Sequence, residues 1–220
     1  MTASGPSSWR LFYFDKFRMT MVNSPTPAVF LDRDGTVCEE VGYLSDIKEL
    51  RLIPRAAEAI GIINQAGWKT IIVSNQSGIA RGYMTADAVD QINRQLLYLL
   101  QREGVKVDGI YYCPHHPQGH PPFNINCDCR KPSAGMLQKA AREHQLALNQ
   151  SIMIGDKYSD VETGQQLNIP GILVRTGFGE GEIKKYQHQW HQAPDYIARD
   201  ILDAIQWWFN GIAQKTDPVK

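Results

Sequence analysis

Between residues 28 and 175 the chain alternates short apolar runs with longer stretches of helical period. The runs Ala28–Leu31, Thr70–Val73, Gly109–Tyr112, Ser151–Ile154 and Gly171–Val174 contain no charged residue, the pattern of strands buried on both faces. Pro54 is placed to open a helix that the Ala66–Gly67 pair closes. Thr85 is a candidate N-cap for a helix to Arg102 with Gly104 as its stop. Further helical periods cover Ala134–Gln145, Asp160–Leu167 and Tyr196–Ala213. Strands alternating with helices predict an α/β fold, a Rossmann-like parallel sheet with helices on both faces. Residues 1–27 show no sustained period and read as a loose arm, 28–213 as one domain and 214–220 as a tail. Met19 and Met21 offer alternative starts that would make the arm dispensable.

Composition narrows the partners. The 220 residues are 43% hydrophobic and 21% charged with a formal net charge of +0, so no global field favours nucleic acid or an anionic membrane surface. No stretch approaches the roughly 18–20 apolar residues that span a bilayer. The apolar patch Leu11–Phe14 is cut short by Asp15 and Lys16, unlike a signal-peptide core. The expectation is a cytoplasmic monomer, in which the four cysteines would not form a disulfide framework.

In an open parallel sheet, ligands bind beyond the carboxyl ends of the strands, and the candidate chemistry falls there. The first run leads into Asp32-Arg33-Asp34-Gly35-Thr36, whose two aspartates at i and i+2 project to one side of an extended strand. Like charges this close would share a proton unless a divalent cation kept one carboxylate ionised. The competing reading is a solvated Asp-Gly turn. The second run ends in Ser74-Asn75, the source of hydroxyl and backbone N–H groups for phosphate oxygens. Lys131, in Arg130-Lys131-Pro132, offers a point charge, and the fourth run ends in Gly155-Asp156-Lys157-Tyr158-Ser159-Asp160. An oxygen-rich acidic site with few dedicated ligands suits Mg²⁺.

The ordered set Asp32-x-Asp34-x-Thr36, Ser74, Lys131 and Gly155-Asp156-x-x-x-Asp160 resembles the four motifs of haloacid-dehalogenase-type phosphatases, from about Ala28 to Gly179. The resemblance implies hydrolysis through an aspartyl phosphate. Asp32 would be the nucleophile and Asp34 the general acid and base. Mg²⁺ would sit on Asp32, the Asp34 carbonyl oxygen and Asp156. Ser74, Asn75 and Lys131 would hold phosphate, with Thr36, Lys157 and Asp160 in support. The segment Val37–Leu52 is too short for a large cap domain, so a small flap near Gly42-Tyr43 would bound an open site.

Three cysteines and a histidine form a second constellation, Cys113-x-His115 followed by Cys127-x-Cys129. Such a closed four-ligand set suits structural zinc, which would clip a polar loop too poor in apolar residues to pack itself. His116 or His120 are alternatives to His115, and free buried thiols are the competing reading. Cys38 is left without a role.

This loop, followed by Arg-Lys-Pro, resembles a subgroup of the superfamily acting on a heptose bisphosphate or on histidinol phosphate. The stretches Asn75–Gly82, Tyr111–Gly119 and Val174–Gly177 resemble the sugar branch. That implies a phosphorylated sugar, cleaved at the 7-phosphate, in carbohydrate metabolism leading to lipopolysaccharide precursors. A second phosphate would need further cations, for which Arg81, Arg130 and Lys157 are the candidates. Histidinol phosphate carries an amine and would call for extra carboxylates. A phosphotransferase using the same aspartyl phosphate is the competing activity.

Overall fold

The computed structural model describes residues 24–216; the arm's first 23 residues and the final four lie outside the described residues. Six strands form one parallel sheet: β1 (Ala28–Leu31), β2 (Lys69–Asn75), β3 (Gly109–Cys113), β4 (Ile152–Gly155), β5 (Gly171–Val174) and β6 (Tyr196–Ala198). Their order is β3-β2-β1-β4-β5-β6, and every pairing is parallel. The order reverses at β1, whose neighbours are β2 on one side and β4 on the other. That reversal opens the crevice in which such sheets bind ligands.

The period-2 geometry of β1 divides its side chains between two cores. Val29 and Leu31 join a cluster with helices α1 (Ala56–Gln65), α2 (Ala86–Arg102) and α6 (Ile201–Thr216), through residues such as Ile60, Leu96 and Leu202. Ala28 and Phe30 face the opposite layer, with Met136 and Leu137 of α3 (Gly135–His144). Helix α4 (Tyr158–Gln165) packs Val161 on Leu173. Each fully buried Leu or Ile side chain contributes about 1.5–3 kcal/mol relative to exposure. Helices therefore cover both faces, as the alternation of patterns predicts.

Several boundaries follow their expected signals. Thr85 accepts a hydrogen bond from the Ala88 N–H at 3.1 Å, and Gly67 and Gly104 take φ of 75° and 77° after α1 and α2. Others differ. Pro54 does not begin a helix, because Arg55 interposes a left-handed residue with φ of 67° and α1 starts at Ala56. Residues 196–198 are a strand rather than the start of the last helix. Apolar Tyr196 and Ile197 extend the helical period backward, yet Asp200 breaks it by capping: its carboxylate accepts from the Asp203 N–H at 2.8 Å. Helix α5 (Gly179–Tyr186), with two glycines in its first turn, carries no helical signal in the sequence.

Among the described residues no cap domain interrupts the sheet. Residues 32–55 form a small flap pinned by the antiparallel bridge Cys38–Leu52 and by Ile53 N–H donating to the Val37 carbonyl at 3.0 Å. No described helix is long and apolar enough to cross a membrane.

Candidate active site

Asp32 follows β1 directly, and its N–H donates to the Ile154 carbonyl of β4 at 2.9 Å. That bond carries the ladder one residue past the strand and aims the side chain into the crevice. Lys131 Nζ lies 2.6 Å from Asp32 Oδ1 and 2.6 Å from Asp160 Oδ1, and it donates to the Val73 carbonyl at 2.8 Å. All three side chains are buried. Burial alone would push the Lys131 ammonium down, but Asp160 and Asp32 outweigh it and hold the group above its ordinary value. Burial raises Asp32 to about 6 despite the opposing Lys131 charge.

Asp156 ends β4. Its Oδ2 accepts from the Phe178 N–H at 2.8 Å, while its buried Oδ1 has no hydrogen-bond partner among the described residues. Burial, then the charges of Asp32 and Asp160, raise it to about 8. A buried carboxylate oxygen left unpaired costs free energy unless a proton or cation meets it. Carboxylate oxygens of Asp32, Asp156 and Asp160 lie within 4.8 Å of one another. This hard-oxygen set, with one oxygen of Asp156 still free, fits magnesium. Asp160 belongs to the set but is already engaged by Lys131 and by the Lys157 N–H at 3.0 Å. Gly35 and Gly177 make room around Asp156, since a Cβ on either would overlap its carboxylate.

Asp34 stands at the crevice mouth. Arg33, 1% exposed, forks onto its carboxylate at 2.9–3.1 Å and reaches Asn93 at 3.0 Å. Gln76 Nε2 donates to Asp34 at 2.8 Å and to Ser74 Oγ at 2.7 Å. Neither Arg33 nor Gln76 is singled out by the motif pattern, because their work is to fix another side chain. Their legible trace was slight: a cation between two aspartates, and an amide two residues past the strand-end serine.

The remaining expected residues divide. Ser74, Asn75 and Lys157 line the crevice with Asp32, Asp34, Lys131 and Asp160. Asn75 spends both ends of its amide on Lys131, donating to its carbonyl and accepting from its N–H at 3.0 Å each. Thr36 is buried, its hydroxyl without a partner among the described residues. Arg81 and Arg130 are not in the crevice: Arg81 contacts His116 Nε2 at 3.0 Å, and Arg130 donates to the His115 carbonyl at 3.1 Å. Glu40, which no motif singled out, lines the adjoining cleft, and its Oε2 lies 3.7 Å from Lys157 Nζ.

Cys113, His115, Cys127 and Cys129 converge, with ligand atoms within 4.8 Å of one another. Cys129 Sγ is 3.0 Å from Cys127 Sγ and 3.3 Å from His115 Nδ1. It is His115 that joins them; His116 turns to Arg81. Burial pushes the Cys113 and Cys129 thiols above their ordinary value, so a metal entering here would displace protons. The cluster can hold a metal ion.

Comparison with known proteins agrees with this geometry. Residues 128–204 match the HAD-hydrolase-like family. The chain is 42% identical over 193 residues to the D-glycero-D-manno-heptose-1,7-bisphosphate 7-phosphatase of Thermosynechococcus vestitus, covering 83% of this chain and 95% of that protein. It is 42% identical over 180 residues to the D-glycero-beta-D-manno-heptose-1,7-bisphosphate 7-phosphatase of Haemophilus influenzae, covering 80% and 93%. The crystal structure of D,D-heptose 1,7-bisphosphate phosphatase from B. bronchiseptica, complexed with magnesium and phosphate, superposes with a TM-score of 0.74 at 27% identity, covering 84% of this chain and 99% of that one. By this likeness, which spans nearly the whole length of its relatives, the chain belongs to the haloacid-dehalogenase-type phosphatases and is closely related to the D-glycero-D-manno-heptose-1,7-bisphosphate 7-phosphatase family.

Proposed function

We propose that the protein hydrolyses the 7-phosphate of D-glycero-D-manno-heptose 1,7-bisphosphate, a step toward heptose nucleotide precursors. The observation that carries the phosphatase reading is the meeting of Asp32, Lys131 and the unpartnered oxygen of Asp156 in one buried crevice. The relatives named above support the choice of sugar.

Asp32 attacks phosphorus, and the bond from phosphorus to the sugar oxygen breaks with its electron pair on oxygen. Asp34 gives that oxygen its proton, leaving an aspartyl phosphate. Water then attacks phosphorus as Asp34 takes its proton. The bond to Asp32 breaks, releasing inorganic phosphate and restoring the carboxylate. Lys131 stays beside Asp32 and offsets charge on the phosphoryl group, with Asp160 and the Asn75 amide holding it there. Ser74 donates to a phosphoryl oxygen. Magnesium, held by Asp32, the Asp34 carbonyl oxygen and Asp156, would neutralise phosphoryl charge.

Arg81 and Arg130 have no carboxylate partner among the described residues, which supports their use for the sugar's second phosphate. The Cys₃His set suits zinc in a closed structural site that holds the loop carrying Arg130 and Lys131.

Phosphate release from heptose 1,7-bisphosphate and from histidinol phosphate, each with and without Mg²⁺, tests this reading. Magnesium-dependent release with a strong preference for the heptose is expected. Comparable rates on both substrates would sink the sugar assignment. No release from either, or transfer to an added acceptor in place of water, would sink the hydrolase.

A further inference from the structure

The crevice holding Asp32, Lys131 and Asp160 has a volume of only ≈ 30 Å³. Beside it lies a cleft of ≈ 240 Å³ that shares Asp34, Asn75 and Lys157 with the crevice. The reaction dictates which part of the substrate goes where. The phosphoryl group must meet Asp32, and the departing oxygen must meet Asp34, which faces both spaces. The leaving group therefore extends into the larger cleft. Its volume is below the roughly 300–1,000 Å³ of drug-sized ligand sites, a scale suited to one sugar ring rather than a protein segment.

Two rings, Tyr43 and Phe178, line that cleft while 42% and 45% exposed. Keeping large apolar surface in water at a polar site is unfavourable unless a ligand covers it. A sugar ring suits such surface, because the C–H bonds of its less polar face carry partial positive charge and meet the negative face of an aromatic ring.

Tyr43 is held rather than loose. Its ring centroid is 4.6 Å from that of Tyr83. The ring also lies against the backbone of Gly78, where an added Cβ would come 2.9 Å from Tyr43 Cδ1. The turn before it is set by Gly42, with φ of +85°, whose N–H donates to Glu40 Oε1 at 2.5 Å. The other carboxylate oxygen of Glu40 faces Lys157 Nζ at 3.7 Å, and that ammonium sits 4.4 Å from the Phe178 ring centroid. Both rings are thus tied to one charged residue of the crevice.

We propose that Tyr43 is a specificity-determining residue, stacking on the sugar ring of the leaving group. The inference rests on the sugar-phosphate reading above and adds the residue that would recognise the sugar itself.

The test compares wild type, Tyr43→Phe, Tyr43→Ala and Gly78→Ala on heptose 1,7-bisphosphate and on acetyl phosphate, which has no ring. For Tyr43→Ala, the ratio of kcat/KM on the sugar to that on acetyl phosphate should fall about five- to tenfold, mainly through KM. Tyr43→Phe should keep the wild-type ratio, and Gly78→Ala, which displaces the ring, should lower it. An equal loss on both substrates in Tyr43→Ala would show a merely structural role and overturn the inference. So would an unchanged ratio in an enzyme active on the sugar. A wild-type enzyme that cleaved acetyl phosphate but no sugar phosphate would overturn the substrate reading, and this inference with it.

Discussion

Lys131 Nζ sits 2.6 Å from the Asp32 carboxylate, with both side chains almost wholly removed from solvent. The same ammonium holds Asp160 at 2.6 Å, so one cation answers two buried anions. Breaking such a pair leaves charge uncompensated in a medium that cannot solvate it. Lys131→Met should therefore lower stability at pH 7 by about 3–5 kcal/mol, measured by urea unfolding. It should also abolish turnover. The loss of stability should shrink as pH falls toward about 6 and level off below it, because Asp32 without the Lys131 charge takes up its proton at a higher pH than in the wild type. A mutant as stable as wild type at pH 7 would remove this ion triad from the fold's support.

The acid cluster also makes stability depend on pH when magnesium is withheld. Burial raises Asp156 to about 8, against roughly 3.9 for an unfolded aspartate. Between those values the folded state binds more protons than the unfolded one, so stability falls as pH rises. Magnesium-free protein should lose thermal stability from pH 6.5 to 8, and saturating Mg²⁺, which binds the ionised form, should flatten or reverse the trend. Differential scanning calorimetry at the two pH values, with and without the ion, checks both signs. A rise in Tm with pH in the magnesium-free protein would contradict the assignment of a buried, proton-binding Asp156.

Asp32→Asn separates chemistry from fold. The amide keeps the size of the side chain, and Lys131 retains Asp160 and the Val73 carbonyl as partners. Turnover should vanish while the cooperative unfolding transition persists. Acid-quenched wild type should carry substrate-derived phosphate on Asp32, detectable by peptide mass spectrometry, and the mutant should carry none. Residual steady turnover in the mutant would assign the nucleophile elsewhere.

What could be read in the chain follows from what each residue answers to. Asp32, Ser74, Asp156 and the sheet itself are local statements: an apolar run, then a polar residue where the strand ends. The sheet's strand-end rule turns those statements into one place. Lys131 needed the motif order as well, since a lone lysine says nothing of its target. Gln76 and Asn75 are opaque because Asp34 and the Lys131 backbone are tertiary partners, and Arg33 because a lone cation does not tell that it folds back onto its neighbour Asp34; Asn75 is read as a phosphate contact, yet its amide is engaged with the Lys131 backbone. Strand β6 was hidden by an apolar pair in phase with the next helix, and α5 by glycines that mask its period.

The cysteine cluster gives a prediction about the fold rather than the reaction. Cys127 Sγ lies 3.0 Å from Cys129 and 3.5 Å from Cys113, and the loop it closes carries Lys131. Cys127→Ala should lose bound zinc, by elemental analysis, and lower Tm before it lowers kcat at permissive temperature. Full zinc content in the mutant would exclude Cys127 as a ligand.

Gln76 offers a test of orientation as distinct from charge. Its amide bridges Asp34 and Ser74 at 2.8 and 2.7 Å, so it fixes the carboxylate proposed above to exchange a proton with both sugar oxygen and water. Gln76→Leu keeps the volume close while removing that donor. Arg33 still forks onto Asp34 from the other side, so the carboxylate stays in place but gains freedom to rotate. Misalignment of a general acid costs about 10²–10⁴-fold at most, and the loss here should sit near the lower bound, in kcat rather than KM. A leaving group that needs no proton, such as a nitrophenolate, should lose less in the first step, because Asp34 then acts only on water. Burst kinetics with p-nitrophenyl phosphate would resolve the two steps. An equal slowing of the sugar phosphate and the aryl phosphate in phosphoenzyme formation would mean that Gln76 supports the crevice generally and does not aim Asp34.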